Sequence, residues 1–150
     1  MKKNIVISAL TILLLISVTV IFFIFSEEPQ EETLVPVRFI IELYDKPDGF
    51  ANNININLPL FESIRDTEIG VIKEVFSLPF LVDVINTSDR IINRLEVYGR
   101  EFTYIVIEGM ASVNNFQTTV NNIPIRVNSR IYVFSKDFAS AATVVSIRFL

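Results

Sequence analysis

Few residues in this chain could do chemistry, and the missing types decide more than the present ones. Histidine and cysteine are both absent. Without them no Ser-His or Cys-His nucleophile, no HExxH zinc site and no thiolate cage can be built. Carboxylates lie near one another at Asp45/Asp48 and Asp66/Glu68. A close carboxylate pair is what glycosidase-type acid–base catalysis needs. Both pairs fall in expected turns, where Asp is favoured because its side chain bonds the local backbone, so they read as turn residues. A Ser-Lys dyad would require Ser135 and Lys136, but adjacent strand residues point to opposite faces. Arg126 and Arg130 flank Asn128 and could mark an anion site, although isolated Arg on strands usually faces solvent. Phe76, Phe80, Phe102 and Phe116 read as core rather than as stacking surfaces for a ligand. The sequence holds no Gly-rich phosphate loop. It therefore nominates no catalytic residue, no metal ligand and no cofactor site, and an enzyme is the least favoured class.

The elements that would carry any site are set by composition. At 150 residues the chain has room for one domain. Tryptophan is absent too, while Ile, Val, Phe and Asn are abundant, which suits a strand-rich domain with many turns. Net charge is −4, and Lys and Arg are scattered singly. A nucleic-acid partner has no electrostatic support in such a pattern. The missing disulfides fit a bacterial or archaeal envelope better than other oxidising compartments.

Residues Ile5 to Phe25 contain no charge and no proline. As a helix they would extend about 32 Å, enough to cross the hydrocarbon core of a membrane. Ser8, Thr11, Ser17 and Thr19 can bond back to helix carbonyls. Lys2 and Lys3 precede the run; Glu27, Glu28, Glu31 and Glu32 follow it. The positive-inside rule then keeps the N-terminus cytoplasmic and sends the rest across. A cleaved signal peptide is the competing reading. It is opposed by the length of the run and by bulky Phe22, Phe23 and Phe25 where small residues would be needed. The organisation expected is a cytoplasmic stub at 1–4, a transmembrane helix at 5–25, an acidic linker at 26–33 and an extracytoplasmic β-domain at 34–150. The linker, Ser26 to Thr33, reads as a solvated spacer rather than a calcium site, and its carboxylates would repel an anionic lipid surface.

Alternation dominates from Val35 onward. Val35, Val37, Phe39, Ile41 and Leu43 share one parity, the pattern of a strand with one buried face. The turn Lys46-Pro47-Asp48-Gly49 should end it. Ile54, Ile56, Leu58 and Leu60 alternate with polar residues and proline, and Gly70 to Phe76 reads as a strand. Phe80–Ile85 and Arg94–Val97 suggest a hairpin about Asn86-Thr87-Ser88-Asp89. Its glycosylation-like pattern is read as a turn. Phe102 to Val113 makes a long strand. Asn114–Gln117 and Asn121-Asn122 are turn-like, and Thr143 to Phe149 is a last strand. Val106, Met110, Ile40 and Tyr44 lie off the main parity, as a second buried face or as a patch covered by a partner.

An internal repeat underlies this order. Ile54-x-Ile56-Asn57-x-x-Leu60-Phe61, then Ile72-x-x-Val75, is echoed by Ile125-x-Val127-Asn128-x-x-Ile131-Tyr132, then Val144-x-x-Ile147. An apolar strand precedes each half, Val37–Leu43 and Thr103–Ala111. Asn is the best non-Gly residue for positive φ, so Asn57 and Asn128 are expected in left-handed backbone. The repeat points to a mainly β fold, a small pseudo-symmetric β-barrel or closed β-sandwich after the transmembrane helix.

With these motifs in view, the chain resembles the bacterial family called domain of unknown function 4330, which is membrane-anchored and β-rich. The likeness rests on Ile69-Gly70-Val71-Ile72, Ile107-Glu108-Gly109 and Ile125-Arg126-Val127-Asn128. Asn57 and Asn128 stand where that pattern has Gly, and Ala141-Ala142 where its last Gly would fall. The resemblance implies no activity, substrate or site residue. A fainter likeness is to the Gly-centred strands of lipid-transport modules anchored by single helices.

The function expected is a non-catalytic interaction or assembly module of the cell envelope. The alternative is a carrier or binding module for lipid or glycan precursors. The partners expected are membrane lipid, through the N-terminal helix, and an envelope protein; nucleic acid is not among them. The anchor reading has a direct check. Intact mass of the mature protein should include Lys2 to Phe25, whereas an N-terminus near Ser26 would mean a cleaved signal.

Overall fold

The computed structural model describes Ser17 and residues 33–86, 91–114 and 117–150. The expected anchor, stub and most of the linker lie outside the described residues, as do Thr87–Arg90, Asn115 and Phe116. The chain divides into two units, residues 1–31 and 32–150. Among the described residues no helix is long and apolar enough to cross a membrane.

The second unit is mainly β, as its alternation requires. Its strands are β1 (Leu34–Pro47), β2 (Pro59–Glu62), β3 (Thr67–Asn86), β4 (Ile91–Val113), β5 (Thr118–Val120), β6 (Ile123–Pro124), β7 (Arg130–Phe134) and β8 (Ala139–Phe149). They form one antiparallel sheet in the order β1-β8-β7-β2-β3-β4-β5-β6, and β1 also pairs with β4. The pairings β1–β8–β7–β2–β3–β4 thus return to β1.

The parity read from β1 holds. Val37, Phe39, Ile41 and Leu43 are all buried, while Arg38 and Tyr44 are exposed. In register opposite, Ile105 and Ile107 of β4 face the same core, joined by Leu60, Ile72, Ile131, Val133 and Val144. Burying a side chain of this size contributes roughly 1.5–3 kcal/mol. Among the off-parity residues, Val106 is buried, Ile40 is half-buried, and Tyr44 and Met110 are exposed. That face is therefore buried at some positions and exposed at others.

Asn57 and Asn128 have φ +64° and +65°, the left-handed backbone expected of them. Each marks a place where the chain leaves a loop and meets a strand. Asn57 N–H donates to Ile72 O at 2.7 Å, and Ile72 N–H donates to Leu58 O at 3.0 Å. Asn128 N–H donates to Val144 O at 2.7 Å, and Val144 N–H donates to Ser129 O at 2.9 Å. The residues matched in the sequence repeat are thus matched in hydrogen bonding.

Several expectations change. Ile54 and Ile56 do not alternate along a strand: a short 3-10 turn at Ala51–Asn53 precedes them, Ile54 is buried and Ile56 exposed. Ile125 and Val127 behave likewise, one buried and one exposed, outside any strand. At both places the left-handed Asn turns the chain before a sheet ladder can form. The separate strands expected around Gly70–Phe76 and Phe80–Ile85 are one strand, β3, and those around Arg94–Val97 and Phe102–Val113 are one strand, β4.

Gly70 has φ +140° and faces β4 closely: a Cβ there would stand 2.5 Å from Glu108 O and 2.7 Å from Ile107 Cγ2. Gly70→Ala should therefore destabilise the chain by about 3 kcal/mol through overpacking in a conformation that L side chains avoid. Asn57→Ala and Asn128→Ala should each cost roughly 1–2 kcal/mol, and the corresponding Gly variants close to nothing. Urea unfolding of the detergent-solubilised chain checks the series. Equal midpoints for the Ala and Gly variants would refute the backbone account.

Candidate functional site

The carboxylate pairs do not form acid–base sites. Asp45 lies in β1, not in a turn, at an irregularity where the register with β4 shifts between Leu43 and Lys46. Its carboxylate bonds the Arg100 guanidinium, which holds its pKa below the ordinary Asp value. The extra residue in the strand leaves φ +56° at Asp45, a geometry Asp tolerates. Asp66 is in a turn at φ +51°, but Glu68 is already in β3. Ser135 donates its hydroxyl hydrogen to Pro59 O at 2.9 Å and is buried, while Lys136 is exposed. Among the described residues no group of three or more acidic residues could hold a metal ion.

Of the phenylalanines expected in the core, Phe80 is buried, Phe102 is half-buried, Phe76 is exposed, and Phe116 lies outside the described residues. Phe76 is exposed and stacks on Tyr104 at 5.1 Å, on the outer face of β3 and β4. Phe80, Phe102 and Tyr44 form an aromatic cluster with ring centroids 4.8–5.5 Å apart. Tyr104 O–H donates to Glu42 Oε2 at 2.7 Å. Burial, with the Glu42 carboxylate beside it, pushes the Tyr104 pKa up to about 12, so the phenol stays a donor and is no general base.

Beyond this cluster β3 and β4 continue as a two-stranded arm. Leu81 pairs with Glu96, Val82 with Leu95, Asp83 with Arg94, Val84 with Asn93 and Ile85 with Ile92. No third strand pairs with these residues among the described ones. The register breaks between Pro79 and Leu81, so Phe80 alone stands against Val97–Arg100 at the arm's base. Large apolar side chains are exposed on both arm faces: Val84 and Leu95 on one, Leu81, Ile85 and Ile92 on the other. A two-stranded ribbon is marginal in water without a packed face. The hairpin was legible in the sequence. Its isolation was not, because alternation reports that one side is apolar, not whether anything covers it.

A second feature is lined by residues of the turn after β2, the β6 segment and β7. A cleft of about 440 Å³ gathers Arg65, Arg126 and Arg130 with Ile64, Ile123 and Tyr132. Arg126 and Arg130 were singled out in the sequence, and the structure does bring them together. Arg65, from the turn after β2, was missed because about 60 residues separate it from them. Arg65 Nη1 donates to Asn122 O at 2.8 Å, which ties that turn to the β5–β6 connection. Arg126 Nη2 makes one long contact, 3.4 Å, to Gln117 Oε1. The Arg130 guanidinium sits 5.7 Å from the Tyr132 ring centre. Glu62 is the acidic residue of the lining. Its two oxygens accept from the backbone N–H groups of Ile64 and Arg65.

Glu101 is a further buried carboxylate, and its role is structural. It accepts from the N–H of Gly49 at 3.0 Å, the N–H of Ala51 at 2.9 Å and the Thr103 hydroxyl at 3.0 Å. Burial alone would raise its pKa, but the backbone donors of Ala51 and Gly49, with the Thr103 and Ser77 hydroxyls, outweigh it and leave the pKa lowered. The carboxylate thereby holds the chain that leaves β1 against β4, beside the base of the arm.

Comparisons with family models, curated proteins and solved structures found no match to this chain.

The Glu101 network predicts a pH dependence. Its folded pKa is below the ordinary Glu value of 4.5, so its stabilising effect is complete above that value. It is lost as pH falls through the depressed folded value. Glu101→Gln should cost about 2 kcal/mol near neutrality, the worth of charge-assisted bonds to backbone donors. The variant should also lose stability less steeply than the parent on acidification below 4.5. Urea midpoints between neutral pH and pH 3 check both; parallel pH profiles would refute the assignment.

Proposed function

We propose that the chain is a membrane-anchored, non-catalytic interaction module of the cell envelope, which docks a protein through the β3–β4 arm. In this reading Ile5–Phe25 is the anchor, the N-terminus is cytoplasmic, and the β-domain is a pseudo-symmetric closed barrel outside it. The return of the strand pairings to β1 supports closure. Two duplications support pseudo-symmetry. The Asn57–Ile72 bonds have their counterpart at Asn128–Val144. The extra residue Lys73, in β3 against β4, has its counterpart at Val145, in β8 against β1.

The arm is the observation that carries the docking role. Ile85 and Ile92 are each 65% exposed, side by side on one face, and both arm edges offer unpaired backbone groups. Covering one such side chain contributes roughly 1–2 kcal/mol, and a free edge can accept an added strand. A protein suits this surface better than a bilayer does. The Asp83–Arg94 ion pair, with Asn93 and Glu96 beside it, puts charge and polarity midway along the ribbon, where hydrocarbon would penalise both. Carriage of a ligand inside the sheet is less favoured, because Phe39, Ile41, Leu60, Ile105 and Ile107 fill the interior.

The absence of native cysteine makes the test clean. Single Cys residues at Ile85, Ile92 and, as a control, exposed Lys73 would be treated in native membranes with a thiol-directed crosslinker. One discrete protein adduct is expected from both arm positions and none from Lys73. Ile92→Asp, introduced into the Ile85→Cys chain, should reduce that adduct roughly tenfold. Free labelling of both arm positions by an impermeant thiol reagent, with no adduct, would overturn the docking role.

A further inference from the structure

We infer that the Arg65/Arg126/Arg130 cleft is a binding site for a phosphate group carried on an apolar chain, as in the headgroup of a phospholipid or another phosphorylated amphiphile. Three arginines from three separate segments line it: the turn after β2, the loop after β6 and the start of β7. Among the described residues, Arg38, Arg94 and Arg100 each have a carboxylate within ion-pair distance, whereas Arg65, Arg126 and Arg130 have none. The lining carboxylate, Glu62, is engaged by its own turn. Each guanidinium has five N–H donors. The side-chain hydrogen bonds of Arg65 and Arg126 use one donor group apiece, and Arg130 sits by the Tyr132 ring and shares an adjoining recess with Glu42, whose carboxylate accepts from Tyr104.

Gathering like charges without a counterion opposes folding, and an anion in the cleft reverses the sign of that term. Guanidinium forks match the oxygens of a phosphate, and several forks at one recess select it over a single-point anion. Ile64, Ile123 and Tyr132 place apolar surface beside the cations, which an inorganic ion would leave unused.

Position points to the amphiphile. Leu34, the first residue of β1, is in register with Ser112; Ser112 with Thr119; and Thr119 with Pro124, which lines the cleft. Three strand spacings amount to about 14 Å. The Pro124 wall of the cleft therefore lies that far from Leu34, from which the chain leads back to the proposed anchor, while its Arg130 wall is in register, through Thr143, with Glu42. The phosphate chemistry stands on the cleft alone; the lipid source rests also on the proposed anchor.

The test uses the full chain in a non-ionic detergent, titrated calorimetrically with three probes: inorganic phosphate, short-chain phosphatidate and a short-chain uncharged diacylglycerol. Phosphatidate should bind at least about tenfold more tightly than inorganic phosphate, and diacylglycerol should not bind. Arg65→Gln, Arg126→Gln and Arg130→Gln should each weaken phosphatidate binding by about tenfold, while Arg94→Gln on the arm leaves it unchanged. Equal affinity for phosphate and phosphatidate, lost in the same three variants, would support the phosphate site and assign it to the free ion. It would count against the lipid source without touching the arm. No binding of either phosphate probe, or binding that survives all three substitutions together, would overturn the site.

Discussion

The domain depends on one constraint: β1 and β4 must hydrogen-bond along both edges while lying side by side. β1 is paired with β4 from Leu34 to Pro47 and with β8 from Val37 to Glu42. β4 carries β1 on one edge and β3 on the other across the same residues. Two-sided pairing satisfies the backbone polar groups of both strands, so their alternate side chains can form a dry core. It also forces close approach. Gly70 lies against the Glu108 carbonyl, where a side chain would collide. The extra residues Lys73 and Val145 are where the neighbouring strands absorb the resulting twist.

Once those two strands are fixed, the rest of the chain has a simple task. Each half must leave a loop, pass beside a bulged strand and enter the sheet. Asn57 and Asn128 do this by turning through left-handed backbone and donating an N–H to that strand. A hydrogen bond between a loop residue and a strand at the same place in both halves ties loop to sheet. The intervening Ile54 and Ile125 can then reach the core from outside any ladder.

This division explains what could be read in advance. Parity in β1 was legible because one face is wholly buried and the pattern is uninterrupted. The two Asn residues were legible because positive φ restricts residue type. Length and coverage were not. Phe76 and Phe102 look like core residues by type, yet pairing with β4 and β1 puts them on the outer face, where Phe76 stacks on Tyr104 and Phe102 meets Tyr44 edge-on. Arg126 and Arg130 could be noted from spacing, but Arg65 joins them only through the pairing of β2 with β7. Glu101 gave no signal, since a lone Glu in a strand reads as solvent-facing until the chain leaving β1 folds back over it.

The same geometry links the two exposed features. The aromatic cluster and the arm leave from the Pro47 end of β1. Arg130 of the cleft is in register with Thr143, and Thr143 with Glu42 beside Tyr44 of that cluster, while Pro124 of the cleft is joined in register to Leu34. A filled interior offers no passage for a ligand. Communication between the ends would have to pass through the strands themselves, and two-sided pairing leaves those strands little freedom to slide, because a one-residue shift would turn every buried side chain outward. On the proposed reading as an assembly module, the apolar arm and the cationic cleft are then complementary features of one rigid domain rather than rival candidates for a single site.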